Sequence, residues 1–195
     1  MKKKIAIGVV TVIVAVLIFA FALPSNVHVE RSLSMKAPAA TVYPLISSFE
    51  SFNRWSPWFK RDPKTKYTFT GTPGQVGSKM SWTSDHPKVG NGSQEVTALE
   101  PNKSVTTHLN FGGEGDGDAK FILEEAAGNT KVTWTLDTDM GNNPVGRLFG
   151  FFAFEGMIGP DYEAGLANLK AIVEGGDAKA DDAVAAPGAA TPAAK

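Results

Sequence analysis

The chain has 195 residues, a formal net charge of −1 at pH 7 and no cysteine. A nucleic-acid-binding domain is expected to be clearly basic, so this charge argues against a nucleic-acid partner. Disulfide bonds and thiol chemistry are excluded, which fits a location outside the cytoplasm.

An uncharged apolar run occupies residues 5–23 and follows three lysines at positions 2–4. As a helix this run would be about 28 Å long, close to the hydrocarbon thickness of a bilayer. The lysines predict a cytoplasmic N-terminus, and so a single-pass membrane protein whose domain lies outside the cytoplasm. In a bacterial cell this is the periplasmic side of the inner membrane. The alternative is a cleaved signal peptide and a secreted or periplasmic protein, because residues 20–22 (AFA) have the A-x-A pattern of a cleavage site.

The C-terminal residues 175–195 are mostly Ala, Gly, Pro and Asp, with Val184 as the one bulky apolar residue. Such a segment buries too little apolar surface to offset the entropy of ordering it, so we predict a disordered tail. Residues 1–25 are then the anchor or signal segment, and residues 26–174 form one domain.

Within the domain, the apolar pattern predicts one strand, two short helical segments, six further strands and a long final helix. Val27, Val29, Leu33 and Met35 alternate with polar residues and predict a first strand, which a short helix over residues 38–47 follows. A second helical turn carries Phe49, Phe52 and Trp55. Six further strands are predicted at residues 66–70, 79–83, 92–99, 104–111, 119–124 and 130–138.

The C-terminal third of the domain returns to helix. Residues 145–154 are rich in aromatics, and an apolar stripe predicts a long helix that starts near residue 159 and ends at Gly175-Gly176. A seven-stranded antiparallel sheet with one apolar face needs a cover, and only this final helix is long enough to provide it.

Five segments in this order resemble the START-like (SRPBCC) superfamily, which includes polyketide cyclase/dehydrase-type and lipid-transfer proteins. They are RSLSMKAPAATVYPLI (31–46), WSPW (55–58), GTPGQVGSKMSW (71–82), NTKVTWT (129–135) and YEAGLANLK (162–170). The resemblance implies an α+β helix-grip fold, in which the sheet curls around the long C-terminal helix. It also implies an elongated apolar cavity for a lipid, a sterol, a plant hormone or an aromatic polyketide, and no cofactor.

Side chains that face such a cavity are candidates for ligand binding, although plain core packing explains each of them equally well. Tyr162 is the best polar candidate, because a buried phenol needs a partner that a ligand oxygen could provide. The candidates are Met80, Trp82, Leu109, Phe121, Trp134, Met157, Tyr162 and Leu166.

Trp55 and Trp58 flank a Ser-Pro dipeptide at the connection between helix and sheet. They are expected either to cap the core or to form an aromatic rim at the cavity mouth or the membrane interface. Stacking on a nucleic acid is disfavoured by the net charge.

Residues for catalysis or metal binding are sparse. Glu155 lies among phenylalanines and is a weak candidate for a general acid or base, if it faces the cavity. His28 and His108 are predicted to point outward, and His86 lies in a turn, so no metal site is expected. Three functions stay open: a membrane-tethered binder or carrier of a hydrophobic molecule, a cyclase or dehydratase, and a protein-interaction module with a filled core.

Overall fold

A computed structural model describes residues 2–175 of the chain. Helix α1 (Lys2–Ala22) contains the apolar run. Among the described residues it is long and apolar enough to cross a membrane, a test that a signal sequence also passes. Apart from Gly175, the predicted tail lies outside the described residues.

The predicted seven-stranded antiparallel sheet is confirmed. Its strand order is β1-β7-β6-β5-β4-β3-β2, so each strand after β1 lies beside its neighbour in sequence and β7 closes back onto β1. The strands are β1 (Asn26–Met35), β2 (Lys66–Thr70), β3 (Lys79–Thr83), β4 (Asn91–Glu100), β5 (Ser104–Asn110), β6 (Asp116–Ala126) and β7 (Asn129–Asp139).

The two ends of the sheet differ in their distance from α1. Asn26, where β1 begins, pairs with Asp139 at the end of β7, and the antiparallel register places the starts of β2, β4 and β6 at this same end. We call it the α1 end. The turns that join β2 to β3, β4 to β5 and β6 to β7 lie at the opposite end.

Short helices connect β1 to β2, and a continuous helical segment follows β7. The connecting helices are α2 (Ala39–Ser47), α3 (Phe49–Phe52) and α4 (Pro57–Arg61). After β7 come α5 (Pro144–Phe149), a π-helical turn (Gly150–Phe154) and the long helix α6 (Glu155–Val173). A short 3-10 turn (Gly112–Glu114) joins β5 to β6.

The long helix begins earlier than its predicted start near residue 159, so that expectation was wrong. It starts at Glu155 and contains Pro160. Gly159 packs closely on β1, because a Cβ at this position would lie 2.2 Å from the Arg31 guanidinium. Packing of this turn on the sheet stabilises the helix across the proline. At the other end of α6, Lys170 Nζ donates to the carbonyl of Ser34 at 2.9 Å.

One buried cluster forms the core between the sheet and the helices, and its members all belong to residues 29–169. Helix α1 contributes nothing to this cluster. Its last turn packs separately against α5 and buries Ala20 there.

Candidate aromatic ligand site

Six aromatic side chains fill the space between β7 and the helices α3, α4 and α6. Trp134 lies at the centre, with its ring 3.7 Å from that of Tyr162 and 4.8 Å from that of Phe121, both in stacked geometry. The other rings meet it edge-on at 5.5–6.0 Å. We call this set the aromatic cluster: Phe52, Trp55, Trp58, Phe121, Trp134 and Tyr162.

Local sequence brings the central rings together. Trp134 lies on the inner face of β7, in alternation with outward-pointing polar residues, and Tyr162 faces it from α6. Gly165 lets the helix approach, because a Cβ there would lie only 2.9 Å from Cζ3 of Trp134. The helix backbone therefore rests directly on the indole ring.

Trp134 carries an unused hydrogen-bond donor. Its indole Nε1 is buried and finds no acceptor among the residues that the structure describes. A buried donor without a partner costs about 1–3 kcal/mol. Beside it, burial raises the pKa of the Tyr162 phenol well above its usual value, so this group stays neutral. The centre of the cluster therefore carries no charge, and the indole N–H of Trp134 is a buried donor without an acceptor there.

The two tryptophans around Pro57 have different surroundings. Trp55 is completely buried, and its Nε1 donates to the carbonyl of Leu45 at 2.9 Å. Its own carbonyl accepts from Asn168 on α6. Trp58 is half-buried on α4, with its ring 6.3 Å from that of Tyr162. Trp55 is part of the core, whereas Trp58 lies at its edge.

The inner face of β3–β5 extends the site away from the cluster. Met80 is buried there, and Trp82 and Leu109 are half-buried. Between them lies a polar pair that the sequence analysis did not identify: Gln94 donates through Nε2 to Thr107 Oγ1 at 2.8 Å. Strand alternation could have found it, because Gln94 shares a face with Val96, and Thr107 with Val105 and Leu109.

Arg31 is a second functional candidate that the sequence pattern did not single out. It lies on the inner face of β1 between Val29 and Leu33, as the alternation of inward and outward side chains along the strand predicts. Its guanidinium binds Glu155 and, through Nε at 2.6 Å, Glu163. Both hydrogen bonds raise the pKa of Arg31, the one to Glu155 more strongly.

Glu155 does not face the interior, so its candidacy as a buried acid or base is wrong. Its side chain is 57% exposed and paired with Arg31. The carboxylate therefore contacts solvent and Arg31 rather than the interior between the sheet and α6. Along α6, Glu155, Gly159 and Glu163 are four residues apart and share the face on which Arg31 lies.

A second ion pair joins α4 to α6. Arg61 and Asp161 form a two-pronged contact, in which Nη1 donates to Oδ2 at 2.9 Å and Nη2 donates to Oδ1. Both side chains are largely buried. The hydrogen bond to Asp161 raises the pKa of Arg61, so the guanidinium stays charged. It holds α4, with Trp58, against α6.

The predicted ligand-binding residues therefore separate into three places. Phe121, Trp134, Tyr162 and Leu166 are buried between β6, β7 and α6, whereas Met80, Trp82 and Leu109 lie on β3 and β5. Met157 is 51% exposed and lies outside both groups. Within residues 2–175, no group of three or more His, Asp or Glu side chains is arranged to hold a metal ion.

Known proteins share this architecture. Residues 26–174 match the model of a family described as polyketide cyclase/dehydrase and lipid transport. The aromatase/cyclase Zhui from a Streptomyces species superposes with a TM-score of 0.58 at 15% identity, over 76% of this chain and 94% of that one.

Two solution structures are similar. A protein from Thermobifida fusca has a TM-score of 0.58 at 17% identity, over 77% of this chain and 95% of that one. A protein from Arthrobacter aurescens has a TM-score of 0.55 at 16% identity, over 76% and 87%. At these identities the likeness shows the fold, including the predicted helix-grip arrangement. No curated protein matches the chain.

Proposed function

Because the chain belongs to the polyketide cyclase/dehydrase and lipid transport family, we propose that it binds a hydrophobic, lipid-like molecule between the sheet and α6 while α1 tethers it to a membrane. The family description supports an apolar ligand. The aromatic cluster and the inner face of β3–β5 provide the surface on which such a molecule would lie.

The observation that carries this proposal is the free indole N–H of Trp134. Native proteins satisfy nearly all buried polar groups, and the exceptions often lie at functional positions. A ligand carbonyl or hydroxyl oxygen next to Nε1 would supply the missing acceptor. The neighbouring rings of Phe121 and Tyr162 would contact the apolar part of the same molecule. The site therefore favours a ligand with a long or flat apolar body and one acceptor oxygen.

The polar pair on β4 and β5 supplies a second point of contact. Gln94 and Thr107 lie beside half-buried Leu109, on the same inner face as Trp82. A ligand that extends from the aromatic cluster along the sheet would reach them with a second polar group. This arrangement suits an amphiphile better than a pure hydrocarbon.

Entry of a ligand requires side chains to move, because the rings of the cluster are in contact. Helix α4 is the element best suited to move, because it has five residues and none of them is fully buried. The Arg61–Asp161 pair, which ties α4 to α6, would have to open for this motion. The mouth would then open beside Trp58, with Tyr162 and Leu166 on the helix side.

Uptake of a fluorescent fatty acid or sterol analogue by residues 26–175 tests the proposal. This fragment contains the whole buried core cluster. Trp134→Phe should keep the fold and remove the donor, which should weaken binding of an oxygen-bearing probe about 2–10-fold, the equivalent of one neutral hydrogen bond. Leu166→Trp should fill the site and weaken binding more than it weakens folding. Val42→Ala, a core change in α2, is the control for lost stability alone.

Two results would contradict the proposal, the first for the contact at Trp134 and the second for ligand binding as a whole. If Trp134→Phe binds the probe as tightly as wild type, the indole N–H does not contact the ligand. If the wild-type domain takes up no apolar probe at micromolar concentration, the filled aromatic cluster is a core, and a protein-interaction module replaces the carrier.

The tether has its own test. Three residues separate α1 from β1, so an uncleaved α1 would hold the domain close to the lipid headgroups. We expect the full-length protein to stay in the membrane fraction after a carbonate wash, with its domain accessible to protease from the periplasmic side only. A soluble mature protein that begins at Leu23 would show that α1 is a signal peptide.

A further inference from the structure

The surface of α5 and the π-helical turn is unusually apolar. Val145, Phe149, Phe151 and Phe152 are all exposed, Val145 by 71% and Phe152 by 68%. The Phe151 and Phe152 rings contact each other edge-on at 4.9 Å. We call these four side chains the phenylalanine patch. Contiguous exposed apolar surface of this kind marks a site for a membrane or another protein.

No charged side chain interrupts the phenylalanine patch. Arg147 is the one charged residue in 144–154, and its guanidinium turns away from the patch. Its Nε donates to the carbonyl of Gly141, and its Nη1 donates to the carbonyls of Phe21 at 2.9 Å and Leu23 at 3.1 Å. The arginine therefore caps carbonyl groups at the C-terminal end of α1, which a helix leaves without partners.

These contacts fix the depth of the patch relative to α1. The last turn of α1 packs on α5, and Ala20 is buried in that contact. Residues 5–23 span about 28 Å as a helix, so their last turn would lie at the outer boundary of the hydrocarbon layer. An element that packs beside this turn lies at the same depth. At the α1 end of the sheet, Gly150 also lies directly against Val27, so α5 and the turn cannot lift away without disturbing β1.

We infer that the phenylalanine patch inserts into the outer leaflet of the bilayer that α1 crosses, so that the domain lies on the membrane through a second, apolar contact. The inference rests on the proposed tether. Its partner is lipid, because the patch continues the apolar surface of α1. Insertion of this kind depends on buried apolar area, and the one basic residue beside the patch is occupied. Neutral phosphatidylcholine is therefore sufficient.

Site-specific labelling of the full-length protein tests the inference, because the chain has no native cysteine. The variants Phe152→Cys and Val145→Cys would carry an environment-sensitive fluorophore in phosphatidylcholine vesicles that contain lipids with a nitroxide on the upper acyl chain. Val76→Cys is the matched control. Val76 is 61% exposed and apolar, but it lies in the turn between β2 and β3, at the opposite end of the sheet. Val14→Cys, in the middle of α1, reports whether α1 is in the bilayer; its quenching is measured with the nitroxide near the end of the acyl chain, because this residue would lie near the bilayer midplane.

The inference predicts a blue-shifted emission at positions 145 and 152, with quenching several-fold stronger than at position 76 and insensitive to added salt. Quenching at position 14 without quenching at 145 and 152 overturns the inference and leaves the tether intact. No quenching at position 14 overturns the tether itself. A label at 152 that is shielded from both the nitroxide lipids and aqueous iodide shows a protein partner, or a second copy, on the patch and also overturns the inference.

Discussion

Replacing Trp134 tests both the packing of the aromatic cluster and the unpaired indole donor. The side chain is 3% exposed and touches five other aromatic rings. A tryptophan buries roughly 200 Å², which at about 25 cal/mol per Å² corresponds to ~5 kcal/mol. Alanine retains part of this area, and the rigid rings around the site limit its collapse. We expect Trp134→Ala to lower the free energy of unfolding by about 3–5 kcal/mol, as large-to-small core changes do.

Trp134→Phe separates the ring from the donor. Phenylalanine loses roughly 1 kcal/mol of apolar burial, but it also removes a buried N–H whose desolvation costs about 1–3 kcal/mol. The two effects nearly cancel, so this variant should lie within about 1 kcal/mol of wild type. The difference in unfolding free energy between Trp134→Ala and Trp134→Phe, rather than either value alone, identifies the unpaired donor.

Urea unfolding of residues 26–175, followed by far-ultraviolet circular dichroism, measures both variants without relying on tryptophan fluorescence. The dependence on urea should be the same for all three proteins, since they expose similar surface on unfolding. If Trp134→Ala lowers the free energy of unfolding by less than about 1 kcal/mol, the side chain is not in the core. If Trp134→Phe lowers the free energy of unfolding as much as Trp134→Ala does, the indole N–H has a partner in the folded state.

Three further predictions concern stability. Gly165→Ala should destabilise the domain by about 1–3 kcal/mol despite the helix propensity of alanine, because its Cβ would overlap the central indole ring. Thr107→Val should cost about 1–3 kcal/mol, since it leaves the buried amide of Gln94 without its acceptor; Thr107→Ser, which keeps the hydroxyl, is the control. The hydrogen bond to Asp137 raises the pKa of His28 above its usual value of 6.5. The stabilisation that this hydrogen bond gives is therefore complete below about pH 6.5 and is lost as pH rises through the raised pKa. The difference in unfolding free energy between wild type and His28→Gln, measured at several pH values, should decrease as pH rises through that range. It should be small at every pH, because the histidine is half-exposed.

Strand alternation and turn residues were enough to predict the sheet, because almost every inward position carries an apolar side chain. They failed where an inward position carries a polar one. Arg31 and Gln94 obey the same parity as their apolar neighbours, but their partners lie on α6 and β5, far away in sequence. Only the folded chain shows that these partners exist.

The start of α6 and the position of Glu155 depend on the same kind of long-range contact. Proline and glycine near residue 159 locally favour a helix start there, and packing on β1 overrides that preference. Aromatic neighbours in sequence suggested a buried Glu155, but Phe151 and Phe152 are exposed, and Glu155 pairs with Arg31 at the surface although Phe154 beside it is buried. Periodicity is a weak guide here, because the π-helical turn shifts the helical phase between residues 150 and 154.

The contacts of α6 with β1 have a kinetic consequence. Arg31 holds α6 near its beginning and Lys170 holds it near its end, so the helix is fixed in position against β1. If the domain binds a ligand as proposed, exchange of that ligand would depend on how often α4 moves away from α6, and the Arg61–Asp161 ion pair would oppose this motion. Stopped-flow release of a fluorescent fatty acid should therefore become faster in Asp161→Asn and at high salt. Glu163→Gln weakens the contact of α6 with Arg31 but leaves the Arg61–Asp161 pair intact, so it should leave the release rate nearly unchanged.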